Sequence, residues 1–560
     1  MGGPSGNCRL QHGAVSCRET RAEAEIAAAH YPQMRLFIVP TAVASEPVAD
    51  IEAAWAVCSP ETVGAFSAVG YYYGRELHRR LGVPIGLVHT AWGGTVAEAW
   101  TSRGALLAVP DLATLVTEFE RDNHDLDAAL AAYEERRRAW APLFAPEDEV
   151  NEGLRRGWAA PGTGADGWGT MPLPCTWQAA GLDYSGVFWF RKEVDLPAAW
   201  SGRTLTLSLG AIDKGDITYV NGVRVGGLSH LDREDSWNTR RVYTVPGELA
   251  RAGRNTIAVR AYSHVYAGGL WGPAHAMNLR LPGAPDAAPI SLAGDWRYSV
   301  ERNMGPALPP PGPENPNWPA ALFNAMIAPL LPYAIRGAIW YQGESNADRA
   351  FQYRSLFPTM IRDWRRAWAQ GDFPFYFVQL ANYFSGGDSS RGSAWAELRE
   401  AQAMTLALPN TGMAVITDVG EALDIHPADK QTVGHRLALN ALAQTYGQGE
   451  VEFSGPRYRG RTIEGSAIRL AFDHAAGLTA RGLLDGFTIA GGDGSFAPAQ
   501  ARIDGETVVV SSPAVPVPVA VRYAWSDNPP CTLYNAAGLP ASPFRTDECP
   551  GVTQHGRPTS

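Results

Sequence analysis

Hydrophobic and polar positions follow three different rhythms along the chain. From about residue 34 to 140, short apolar runs alternate with segments of helical period. Arg35 to Val39 and Pro84 to His89 read as strands, and Glu61 to Leu81 as a helix with an aromatic face of Phe66, Tyr71, Tyr72 and Tyr73. Leu112 to Trp140 reads as one long helix rich in Ala, Glu and Arg. Between about Gly157 and Pro282 the period falls to two. Val187 to Val194, Thr204 to Leu209, Ile217 to Val220 and Thr256 to Tyr262 alternate, and Asn221-Gly222 supplies a hairpin turn, which predicts an antiparallel β-sandwich. Gly283 to Asn317 is Pro-rich and reads as a connector.

The helix-and-strand rhythm resumes near Trp318. Strands are predicted at Gly337 to Tyr341, Phe375 to Leu380 and Gly412 to Thr417, and helices at Arg349 to Trp368, Ser393 to Leu406 and Pro427 to Tyr446. Past Gly449 only short strands follow, such as Ala467 to Phe472, Thr507 to Val510 and Val517 to Tyr523. The expected architecture is α/β: a parallel sheet flanked by helices, interrupted by an all-β sandwich and followed by a small β domain. The expected boundaries are 1–150 and 286–448 for the split α/β domain, 151–285 for the insert and 449–560 for the last module with its tail. No repeat of solenoid length occurs.

Composition narrows the function classes. The 560 residues carry a formal net charge of −10 with no basic tract, so no nucleic-acid partner is expected. No run approaches 18 apolar residues, so no membrane span is expected. Met1 to Thr20 lacks a basic start and an apolar stretch, so there is no signal peptide in the sequence as given. The six cysteines, Cys8, Cys17, Cys58, Cys175, Cys531 and Cys549, form no CxxC pair, which argues against a structural zinc. A Cys531–Cys549 pairing and free thiols both remain open. Arg outnumbers Lys, and Ala and Gly are abundant, as in a GC-rich bacterial gene.

Candidate chemistry collects in three blocks, each at the carboxyl end of a predicted strand: His89 to Thr95, Trp340 to Asn346 and Asp424 to Pro427. That edge of a doubly wound sheet is where ligands bind. His426 suits a general base, with Asp424 or Asp418 orienting its other ring nitrogen; the alternative is a loop histidine beside a helix-capping acid. Gly93 and Gly94 offer backbone N–H groups to an oxyanion, or make an ordinary turn. Gln342 offers its side-chain amide to the same oxyanion. Glu344 either braces the loop or orients a substrate hydroxyl. Ser345 lies in a Gly-x-Ser-Asn phrase after a strand and is a candidate nucleophile on residues alone.

The wording of these blocks resembles the sialate O-acetylesterase family within the wider SGNH hydrolases. The phrases are Trp92-Gly93-Gly94-Thr95 with Glu98 and Trp100, Gly337 to Asn346, Tyr353 to Pro358, Asp363-Trp364-Arg365, and Asp424 to Pro427 with Lys430, Gly434 and Arg436. The likeness runs from about residue 22 to 548, and the insert resembles the jelly-roll domain of β-galactosidase-type glycoside hydrolases. It implies a Ser–His(–Asp) hydrolase that removes O-acetyl groups from sugars, of the sialate 9-O-acetylesterase type, without metal or cofactor. Acetylated xylan or other plant fragments fit as well as sialic acid. A periplasmic or extracellular location is the expectation.

The family's nucleophile lies in a Gly-Gln-Ser-Asn-Met-type block ahead of Ala22, directly after the first strand. Here Cys8 to Cys17 carries neither strand nor block. Read one base later, codons for Gln11-His12-Gly13 permit Asn-Met-Glu. Leu10 permits a serine codon before them, and Val15 to Cys17 permit Phe, Pro and Val; the codon ahead of the serine cannot be glutamine. A local frameshift, or a sequencing error, beginning near Leu10 is therefore inferred, with Leu10 at the position of the serine and the chain as written left without it. Ser16 lacks the strand-turn context a nucleophile elbow needs, and the resemblance assigns the Ser345 block to oxyanion and loop contacts. Two rival readings remain. One is a non-catalytic carbohydrate-binding protein, with Trp168, Trp177, Trp189, Trp237 and Trp271 either stacking on sugar or packing the core. The other is a glycosidase using Glu98 and Glu344, which needs the two carboxylates to face each other across about 5–10 Å.

Overall fold

Alternation within short apolar strands decides the layering. Ala338–Trp340, Phe375–Gln379 and Thr411–Val415 pair in parallel in that order. Trp340, Phe375, Phe377, Met413 and Val415 pack into one apolar core, while Ile339, Tyr341, Tyr376, Val378 and Ala414 pack into another on the opposite face. The period of two thus sends successive side chains into two cores, each covered by helices. A second small sheet contains Ala56–Cys58, Tyr31–Ile38 and Ile85–His89, the last two parallel. Phe37, Val39 and Val88 join the first core, and Ile85 with Ala91 joins the second. The two small sheets therefore share both cores.

The computed structural model describes residues 22–554 apart from 123, 141–150, 165, 179, 183, 231, 234–235, 238, 265–267, 273, 285–286, 307–311, 313–314, 384–391 and 423–424. The chain divides into two compact units, Asp125–Gly312 and the stretches before and after it. In the discontinuous unit, helix Ala68–Leu81 packs on helix Lys430–Asn440. Ser67 caps the first helix by accepting from Gly70 N, and Gly82 ends it in the left-handed conformation. Gly434 sits at the crossing: a Cβ there would lie 2.6 Å from Tyr72 Cβ and 2.9 Å from Tyr73 N.

Among the described residues, no strand pairs with the free side of Ile85–His89 or of Ala338–Trp340. Their side chains are largely half-buried, whereas every residue of Phe375–Gln379 and Thr411–Val415 is buried. A sheet covered on both faces exposes its residues this way only along an unpaired edge.

In the unit Asp125–Gly312, two six-stranded antiparallel sheets enclose one core built from Phe188, Phe190, Leu205, Leu207, Leu209, Ile257 and Val259 among others. The long helix expected over 112–140 is two, Pro110–Asp122 and Leu126–Trp140, the second belonging to this unit. The expected connector also differs. Gly294–Asn303 is a strand between Gly169–Leu173 and Gly186–Leu196, past the boundary expected at 285. Flanking prolines hid the alternation in this segment, where Trp296 is buried and its neighbours are not. After Thr445, two four-stranded antiparallel sheets close over Ile468, Leu470, Ile489, Val508, Val510 and Val521. Cys531 and Cys549 are separate thiols.

Candidate active site

The turn Trp92-Gly93-Gly94-Thr95 follows strand Ile85–His89, and the loop from Tyr341 follows strand Ala338–Trp340. Both leave the carboxyl ends of parallel strands, and side chains tie them together. Gln342 Nε2 donates to Thr95 O at 3.2 Å and to Asn346 Oδ1 at 2.6 Å, and Gln342 Oε1 accepts from Tyr353 OH at 2.9 Å. Asn346 Oδ1 also accepts from Ala97 N at 2.9 Å, while its Nδ2 donates to Glu98 Oε2 at 2.8 Å. Arg349 Nη1 completes the set, donating to Glu98 Oε1 at 2.7 Å. Gln342, Asn346 and Glu98 are all buried. Each polar atom has its partner, as a buried network requires.

The backbone supports the same arrangement. Gly343 has a φ of +154, and a Cβ on it would approach Leu398 Cδ2 to 2.6 Å, so both conformation and space demand glycine. Gln402 holds this loop from helix Ala394–Met404, donating to Gln342 O at 3.1 Å and accepting from Leu380 N at 2.9 Å. Thr95 Oγ1 donates to Trp92 O at 2.7 Å and accepts from Trp100 Nε1 at 2.9 Å, closing the glycine turn. Burial pushes the Tyr353 phenol well above its ordinary range, and the negative charges of Glu344 and Glu98 add to it.

The predicted residues are distributed as follows. Gly93 is half-buried and Gly94 exposed, with φ +78. Both amide hydrogens of Gln342 are committed within the protein, so this geometry gives it a positioning role, and donating to an oxyanion would require it to release Thr95 or Asn346. Glu344 and Ser345 are half-buried on the short 3₁₀ turn Glu344–Arg349. Glu98 is clamped by Asn346 and Arg349 as a structural anion, which leaves it unsuited to work as one of a glycosidase's two carboxylates.

His426 is buried in the loop before helix Lys430–Asn440, whose N-terminus is capped by Asp429 through Thr432 N at 2.9 Å. Lys430, buried in the first turn, holds its Nζ 5.7 Å from the centroid of the Tyr341 ring, a contact between this helix and the second block. Asp424, the expected orienter of His426, lies outside the described residues, as do Leu10, Ser16 and the rest of the segment ahead of Ala22. The alternative, Asp418, is held by a two-pronged ion pair with Arg436 (2.5 and 2.8 Å) and accepts from Tyr534 OH at 3.3 Å.

Sequence reasoning missed Arg349 and Gln402. The signal for Gln402 was present: it lies on the buried face of its helix with Leu398 and Ala401, where a polar side chain requires partners. Arg349 carried a weaker one: it stands at the N-cap of helix Ala350–Trp368, where a cation opposes the helix dipole unless a carboxylate such as Glu98 pairs with it.

Residues 318–443 match the family described as carbohydrate esterase, sialic acid-specific acetylesterase. The match takes in all three strands of the second parallel sheet, the Gln342 loop and His426. Over this stretch the chain is similar to the sialate O-acetylesterases. The mouse sialate O-acetylesterase is 34% identical over 257 residues, 40% of this chain and 47% of the mouse protein. The human sialate O-acetylesterase is 38% identical over 159 residues, 25% of this chain and 30% of the human protein. The matched chain thus spans less than half the length of either relative. In three dimensions the chain is similar to a carbohydrate acetylesterase from Xanthomonas citri, with a TM-score of 0.57 and 28% identity, covering 98% of this chain and 79% of that one.

Proposed function

We propose that this fold is the scaffold of a carbohydrate esterase that hydrolyses O-acetyl esters of sugars, with the split parallel sheet read as an SGNH-type sheet and the β insert as a jelly roll. The observation that carries the reading is the hydrogen-bonded union of the glycine turn with the Gln342 loop at the carboxyl ends of two parallel strands. In this reading a serine attacks the acetyl carbonyl and His426, oriented by Asp424, takes its proton. Backbone N–H groups of Gly93 or Gly94 receive the oxyanion. Gln342, Asn346, Glu98 and Arg349 hold that turn at the required height. The carbonyl–oxygen bond to the sugar breaks and His426 passes the proton to the departing sugar hydroxyl. His426 then takes a proton from water as it attacks the acetyl-serine, and returns that proton to serine as acetate leaves. No step calls for a metal or cofactor.

The unpaired sides of Ile85–His89 and Ala338–Trp340 support a place for the serine. A parallel strand set between them would fill the half-buried edges and end beside the glycine turn and Gln342. The chain as written is therefore expected to have little acetylesterase activity. Rewriting residues 9–17 as a Gly-Gln-Ser-Asn-Met-type block is expected to restore it. Without a nucleophile, water attack assisted by the remaining groups retains about 10³–10⁴ over the uncatalysed rate, as in the serine-protease triad from which that figure comes. Intact enzymes reach about 10⁶ or more. Rates with 4-nitrophenyl acetate and an O-acetylated sugar, on both chains, separate the cases. High activity in the chain as written that vanishes in Ser345→Ala would make Ser345 the nucleophile and end this assignment.

A further inference from the structure

The five tryptophans singled out in the insert do not share one fate. Trp177 and Trp189 are wholly buried, and Trp168 is nearly so. Trp237 is 42% exposed and Trp271 half-buried. Their indoles lie nearly parallel, 13° apart with centroids at 6.1 Å, and Trp271 Nε1 donates to Trp237 O at 3.1 Å. That bond and the pairing of Trp271 with Ala211 hold the platform in place before any ligand arrives.

Strand register brings polar groups to the same rim. Gly269 pairs with Asp213, two positions beyond the Ala211 partner of Trp271. Lys214 donates its backbone N–H to Tyr262 O, and Ser236, next to Trp237, donates to Lys214 O at 2.8 Å. Asp213 and Lys214 form an ion pair at 2.5 Å, with about one-eighth of each side chain exposed. Asp216 pairs with Leu228, which carries the chain on to His230, and the rings of His230 and His264 lie 4.7 Å apart. Strand register and the Ser236 bond thus set the backbone of the Lys–Asp pair beside the strands and turn that carry the two tryptophans.

We propose that this rim is a carbohydrate-binding site that takes a pyranose ring, its C–H face on the Trp237–Trp271 platform and its hydroxyls toward Lys214 and Asp213. A pyranose matches this chemistry on both counts. One face presents only C–H groups to a π-surface, and the equatorial hydroxyls both donate and accept, as the paired carboxylate and ammonium require. The proposal does not rest on the esterase reading, because binding is expected of unacetylated sugar.

The test is calorimetric titration of the full chain as written with xylohexaose, mannohexaose, cellohexaose and 3′-sialyllactose, none of which carries an O-acetyl ester. Saturable binding of at least one is expected, weakened about tenfold or more in Trp237→Ala and largely kept in Trp237→Phe, which retains a flat ring. Thermal unfolding of each variant, unchanged from the parent, verifies the fold, since Trp237 is exposed. Lack of binding by all four sugars at millimolar concentration, or equal affinity in Trp237→Ala, would overturn the proposal. Esterase assays on the repaired chain would be unaffected by either result.

Discussion

Asn346 does the most work of any single side chain near the site. It receives Ala97 N and Gln342 Nε2 on one oxygen and gives its own N–H to Glu98. Replacing it with Ala would leave three buried polar groups unsatisfied, and a loss of about 3 kcal/mol is expected in urea unfolding. Asn346→Asp would set a second carboxylate against Glu98, so its stability should recover as pH falls and one of the pair protonates. A second residue-scale expectation concerns Glu301, in the other unit. Burial raises its carboxyl, but hydrogen bonds and charge from Arg260, helped by Trp189 and Gly153 N, outweigh this and hold it below the ordinary 4.5. Because the folded value is depressed, its stabilisation is present above pH 4.5 and is lost as pH falls through the folded value. The acid limb of unfolding should flatten in Glu301→Gln, measured by fluorescence of Trp189, whose indole bonds to Glu301 Oε2 at 2.6 Å. An unchanged limb would dismiss this ion pair as the acid-sensitive element.

Among elements, the helix pair Ala68–Leu81 and Lys430–Asn440 depends on one small residue. Gly434→Ala would favour the helix by up to about 1 kcal/mol on propensity alone. The added methyl would meet backbone at Tyr73 N and Val69 O, which cannot swing aside as a side-chain end can. Net destabilisation of about 1–3 kcal/mol is expected from overpacking; a gain in stability would show that the helices separate freely. The two unpaired strand edges make another element-scale prediction. Amides of Ile85–His89 and Ala338–Trp340 should exchange hydrogen faster than those of Phe375–Gln379, which has partners on both sides. In the chain repaired at residues 9–17 that difference should shrink, and equal protection in both chains would remove the argument for a strand between them.

For the whole molecule, the division into units predicts how parts fold. The sandwich core is formed from residues of Asp125–Gly312 alone, whereas the parallel strands of the other unit come from both sides of that insertion. Residues 125–312 expressed by themselves should therefore unfold cooperatively, with tryptophan near-ultraviolet circular dichroism intact. Residues 22–124 alone should not, since Phe37, Val39 and Val88 belong to a core most of whose buried residues lie beyond residue 318. A cooperative transition in the short piece would contradict this partition.

The sequence by itself determined what depends on neighbours a few positions apart. Period two marked the sandwich strands, apolar runs marked the parallel strands, and the glycine turn, the Gln342 phrase and His426 stood out at their ends. Local periodicity failed where its signal was broken. Proline-flanked Gly294–Asn303 passed for a connector, and the break between Asp122 and Leu126 was overridden by the Ala-, Glu- and Arg-rich segments on either side of it, although its own residues are weak helix formers. Only the tertiary structure decided partners. Gln342 and Glu98 looked like chemical groups because their types suit catalysis, but a buried amide or carboxylate is used up by whatever satisfies it, and Thr95 for Gln342 and Arg349 for Glu98 lie 247 and 251 positions away in sequence. The same holds for the tryptophans, identical in type and separated only by what the fold lays over them. Burial and hydrogen-bond satisfaction are long-range properties of packing, so no local pattern could have assigned them.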